Sequence, residues 1–66
     1  MKFTIETEQE EDGRWLAEIC ELPGCIAYGD SPDAARARAE ALGLRVIADQ
    51  LEHGEVSPAS LSVAFA

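Results

Sequence analysis

From Lys2 to Gln9 the chain alternates, with Phe3, Ile5 and Thr7 pointing one way and Lys2, Thr4, Glu6 and Glu8 the other. A period of two with one polar side predicts a half-buried strand. Arg14 to Cys20 repeats the pattern, setting Trp15, Ala17 and Ile19 against Leu16, Glu18 and Cys20. Between the two runs lies Glu10-Glu11-Asp12-Gly13, and Asp-Gly between alternating segments is a strong hairpin signal. The indole of Trp15 is expected to lie against the first strand and give the core its largest single area. A third, very short run, Cys25 to Tyr28, is bracketed by the turn signals Pro23-Gly24 and Gly29-Asp30. Proline presets φ and glycine accepts φ > 0, so Pro-Gly fits the centre of a tight turn. Three strands in succession predict an antiparallel meander.

The period then changes. Ser31-Pro32 reads as an N-cap followed by proline at the first helical position, where a missing N–H costs nothing. The helix is expected to run from Pro32 to about His53. Ala34, Ala35, Ala37, Ala39 and Ala41 give its first half high propensity and little bulk. Leu44, Ile47 and Leu51 recur at helical spacing, with Leu42 and Val46 widening the apolar stripe. Gly43 costs the helix about 1 kcal/mol relative to alanine, and either marks a close backbone contact or is tolerated. Gly54 suits the position after the helix, and His53 in the last turn complements the helix dipole. A connector holding Pro58 leads to Ser60–Ala66, where Leu61, Val63 and Phe65 alternate with Ser60, Ser62 and Ala64. The expected fold class is α+β in the order β-β-β-α-β: a three-stranded antiparallel meander, one long helix packed on it, then a fourth strand. Residues 1–66 form a single domain. The last strand either joins the sheet in parallel by a right-handed crossover or pairs across a subunit boundary.

Length and charge extend this picture. A chain of 66 residues with 47% hydrophobic content is globular, yet buries only about 60% of the surface its unfolded form exposes. Homo-oligomerisation is the usual remedy for so small a core, so a homodimer or higher homo-oligomer is expected. Thirteen acidic residues against five basic ones give a net charge of -8. Such a chain repels phosphates, which argues against direct nucleic-acid binding, and suits a basic protein partner. No run is apolar enough to span a membrane and no signal peptide opens the chain, so the expected location is the cytoplasm. Cys20 and Cys25 flank the Pro23-Gly24 turn. A bridge across the hairpin is geometrically open to them, but reducing cytosol opposes it, and a role as small buried apolar residues is expected instead.

No constellation of catalytic residues stands out. His53 is the single histidine. A zinc site built from Cys20, Cys25 and His53 lacks a fourth ligand and has unusual spacing. Ser31 reads as a cap without a neighbouring base. Glu10, Glu11 and Asp12 lack the surrounding pattern of a calcium loop. Phosphate-binding glycine motifs are absent. The expectation is a protein that is not an enzyme and has no catalytic, cofactor-binding or metal-ligating residues.

The punctuation of the chain resembles the HicB family, the antitoxin side of HicA–HicB toxin–antitoxin systems. The matching segments are Glu11-Asp12-Gly13, Glu21-Leu22-Pro23-Gly24-Cys25, Gly29-Asp30-Ser31 before Ala34-Ala35, and Gly54-Glu55 with Pro58. Pro23, Gly24, Gly29, Asp30 and Ser31 are its structural motif. The resemblance implies a small domain that covers the active surface of a HicA-like toxin, a small basic ribonuclease that cuts mRNA. Glu10, Glu11 and Asp12, with the exposed sheet edge, are the candidate partner-binding residues. Many HicB-like proteins continue into a DNA-binding domain; this sequence stops at Ala66 without one, so repression of its own operon is not expected of it. The alternative expectation is an orphan HicB-like domain that self-associates and has no toxin.

Overall fold

The computed structural model describes residues 1–66, the side chain of Ser60 excepted. The fold is α+β. Three strands, β2 (Ile5–Gln9), β3 (Trp15–Ile19) and β4 (Ile26–Gly29), form an antiparallel sheet in the order β2-β3-β4, and the helix α1 (Pro32–Glu52) packs on one face. The register places Glu8, Leu16 and Tyr28 in one row across the sheet, and Glu6, Glu18 and Ile26 in the next.

The turns follow their residue chemistry. Glu10 accepts from the Gly13 N–H at 3.0 Å and donates to Arg14 at 2.7 Å, with Gly13 at φ 91°. This is a three-residue hairpin loop closed by a left-handed glycine. At the second turn Cys25 N–H donates to the Leu22 carbonyl at 3.0 Å, with Gly24 at φ 87°. Ser31 caps α1: its backbone is extended and its Oγ accepts from the Ala34 N–H at 3.0 Å, with Pro32 next. The helix ends one residue before His53, which is its C-cap. Gly54, at φ 73°, donates to Leu51, and Glu55 donates to Gln50 at 2.8 Å. These paired bonds are the Schellman ending that a left-handed glycine permits.

The first predicted strand is divided. β1 (Lys2–Phe3) is separated from β2 at Thr4, whose N–H leaves the ladder to donate to Glu21 Oε1 at 2.7 Å. Thr4 still accepts from Cys20 N–H at 3.0 Å. On its other side β1 pairs in parallel with β5 (Ala64–Phe65), with Lys2 opposite Ala64 and Phe3 opposite Phe65. Ile5 N–H reaches the Ala66 carbonyl and the Met1 amino group donates to Ser62. The C-terminal strand thus closes within its own chain, shorter than the expected Ser60–Ala66, because a single turn of 3-10 helix occupies Pro58–Ser60. The rings of Phe3 and Phe65 pack with centroids 5.6 Å apart.

The core lies between the sheet and α1. It consists of Phe3, Ile5, Ala17, Ile19, Cys25, Ala35, Ala39 and Ile47. Two expectations are corrected here. Trp15 is only half-buried, at the end of the sheet opposite Gln9, and Ile19 is the largest fully buried side chain. The buried line of α1 is Ala35, Ala39, Gly43 and Ile47, while Leu44 is 49% exposed and Leu42, Val46 and Leu51 are half-buried. Spacing of four with three small residues lets the helix axis approach the sheet too closely for leucine. A Cβ on Gly43 falls 2.6 Å from Ile19 Cδ1, so this glycine marks a close contact. Gly29 ends β4 without positive φ; a Cβ there falls 2.5 Å from the Ala35 nitrogen. The strand ends here and the chain bends at Asp30 as expected, but the glycine itself is required by the close approach of the helix N-terminus to the sheet backbone.

Gly29→Ala is expected to cost about 1–3 kcal/mol, because the obstruction is backbone that cannot rotate away. Gly43→Ala costs less, since about 1 kcal/mol of helix propensity offsets the crowding of Ile19. Urea midpoints for the two variants measure the difference.

Candidate functional site

The residues expected to meet a partner sit at the β2–β3 hairpin. Glu10 is half-buried; Glu11, Asp12 and Arg14 are exposed. Asp12 is committed to its own turn: Oδ1 accepts from the Arg14 N–H at 3.0 Å, and Oδ2 from Arg14 Nε at 2.8 Å. The Arg14 backbone N–H, then its guanidinium, hold the Asp12 carboxyl below the usual aspartate range. The Arg14 guanidinium also lies 4.7 Å from the centroid of the Tyr28 ring, a cation–π contact. Glu10, Glu11, Asp12, Arg14 and Tyr28 line an open depression of about 450 Å³. Of the expected acidic trio, then, one member is neutralised by a neighbouring cation.

Tyr28 links this depression to the sheet face turned away from α1. Alternation sends Ile5, Ala17 and Ile19 inward, and Glu6, Glu8, Leu16, Glu18, Ile26 and Tyr28 outward. Glu6 stands directly opposite Glu18. No lysine or arginine occurs in β2, β3 or β4. Like charges directly opposite each other in a ladder destabilise it. Glu6, Glu8, Leu16 and Glu18, with Thr7, line a second hollow of about 200 Å³. Ile26 and Tyr28 are each 40% exposed. The sequence already held this signal, in the carboxylates at alternate positions of the first two strands, but register alone set them side by side.

Cys20 and Cys25 are both free thiols. Cys25 is buried as expected; Cys20 is exposed, contrary to expectation, because it follows Leu16 and Glu18 on the outer face. Loss of water and the carboxylates of Glu6, Glu21 and Glu18 push its thiol above the ordinary value. At the far end of α1, His53 Nδ1 lies 2.8 Å from the Asp49 carbonyl and 3.4 Å from Asp49 Oδ1. Asp49, His53 and Glu55 are the only three potential metal ligands that come together among the described residues, and all are exposed; Cys20 and Cys25 do not join His53. Among the motif residues, Pro23 and Gly24 form the turn, Asp30 is exposed in the bend before α1, and Ser31 is the cap. No helix of the described residues is long and apolar enough to cross a membrane.

A scan against protein-family models finds no match to this chain, and searches of curated proteins and of solved structures find none.

Asp12 and Glu21 are both held low, Glu21 chiefly by the Thr4 N–H. A depressed folded value means the unfolded chain takes up the proton first. The resulting stability is present above the unfolded values, about 4, and is lost as pH falls through the folded ones. Asp12→Asn and Glu21→Gln are therefore expected to shallow the fall in melting temperature below about pH 4, with Arg14→Ala raising the Asp12 titration midpoint observed by NMR.

Thiolate is the reactive form of cysteine. Alkylation of Cys20 at neutral pH is expected to run several-fold slower than that of an unstructured peptide thiol, and Glu6→Gln to speed it by roughly twofold. Cys25 reacts on unfolding.

Proposed function

We propose that this chain is a binding module of the HicB-like antitoxin type, which covers a small basic HicA-like ribonuclease and blocks its access to mRNA. The observation that carries the reading is the composition of the sheet: three strands whose outward side chains include carboxylates and no cation, in a chain of net charge -8. Among the described residues the one ion pair between a carboxylate and an arginine or lysine is Asp12 with Arg14, so most of the acidic charge has no internal counterion. Unspent negative charge on a rigid sheet complements the lysines and arginines with which a ribonuclease holds phosphate. The role is contact and exclusion, with no chemistry performed by this chain.

A second reading has its own support. The radius of gyration is 12.8 Å, against about 11 Å for a compact chain of this length. Leu44 is 49% exposed, Met1 40% and Leu61 37%. An elongated molecule with uncovered leucines fits a self-associating orphan domain without a toxin.

Co-induction separates the two. The antitoxin reading requires a small basic protein encoded beside this gene that arrests growth when expressed alone; co-expression of this chain is then expected to restore growth and to yield a complex that weakens as salt rises. Absence of arrest or of rescue, with a salt-resistant homo-oligomer by light scattering, selects the orphan reading.

A further inference from the structure

We propose that the outer face of the β2–β3–β4 sheet is a docking surface for a protein that presents lysines or arginines around an apolar centre. The inference rests on the reading of the chain as a cover for a basic protein, and it names the surface. Leu16, Ile26 and Tyr28 form an apolar patch across β3 and β4; Glu6 and Glu8 on β2, and Glu18 on β3 between Glu6 and Ile26, flank it. Apolar residues beside polar, charged ones are the composition of a protein interface. The helix covers the other face only; Ile26 and Tyr28 are each 40% exposed and Leu16 is half-buried, with the Arg14 guanidinium lying over the Tyr28 ring at the hairpin end.

Charge selects the occupant. The cross-strand pair of Glu6 and Glu18 works against the sheet, and no cation on the three strands relieves it. A basic partner relieves it on contact. A second copy does the opposite: an isologous contact brings each patch against itself, carboxylate to carboxylate. The depression at Tyr28 extends the surface toward Glu10 and Glu11, so those residues form its border rather than its centre.

The test is an NMR titration of the isotope-labelled chain with a synthetic amphipathic peptide made only of lysine and leucine, against an all-lysine peptide of equal charge. The lysine–leucine peptide is expected to shift the amides of the six face residues and to bind several-fold more tightly than the all-lysine peptide. E6Q/E18Q, which removes a repulsive pair and retains the fold, is expected to weaken binding about tenfold; E52Q/E55Q, which removes equal charge at the helix end, weakens it less than about twofold. Equal weakening by both double variants, shifts spread over the helix, equal binding of the two peptides, or face signals that broaden with protein concentration alone would each overturn the proposal. Its outcome is independent of growth rescue: peptide docking on this face without rescue retains the surface and removes the ribonuclease, whereas rescue without docking retains the ribonuclease and removes the surface.

Discussion

The distance between α1 and the sheet governs the rest of this structure. The helix meets β3 and β4 along Ala35, Ala39 and Gly43, and β4 meets the helix with Gly29. Alanines and glycines supply little apolar area each. What they permit is close approach, so that Ile19 and Ile47 share one thin core. Dispersion and burial gain from that proximity, and an extra methyl at either glycine reaches atoms already in contact. A core of this kind tolerates little variation at its small positions and leaves the larger helix residues, Leu44 above all, outside it.

The same thinness leaves the sheet covered on one side. Helix and sheet make the usual two layers around one core, and among the described residues no third layer covers the outer face. Its C-terminal segment instead runs along β1, where the Phe3–Phe65 contact and the hydrogen bonds from Ala64 and Ala66 anchor it. Glu21 contributes to that arrangement from a distance, since its carboxylate takes up the Thr4 N–H where β1 gives way to β2. The outer face is consequently an open surface, and its carboxylates work against an isologous contact between copies of it.

Element boundaries were readable wherever one residue has a local task. Gly13, Gly24, Ser31 and Gly54 each act through their own backbone or nearest hydrogen bonds, and each stands where the reading put it. Residues whose task is to fit a distant element were harder to read. Gly29 looks like a turn glycine until Ala35 is placed against it, and Leu44 fits the helical period as well as Gly43 does. Large apolar residues attract a periodicity argument, whereas the actual contact line was written in small ones. For the candidate surface, the acidic turn was conspicuous as a run in the sequence, yet Arg14 quenches Asp12, and the unquenched carboxylates are scattered along β2 and β3.

Taken alone, the order of residues determined the order of elements, the turns, the helix cap and the acidic balance, because these depend on local backbone preference and on charge that is simply counted. Tertiary structure alone decided the parallel closure of β5 on β1, the small-residue seam under the helix, and the meeting of Glu6 with Glu18. Each of those is a relation between segments far apart in the chain, fixed by register and by the distance of closest approach, and a local pattern carries neither.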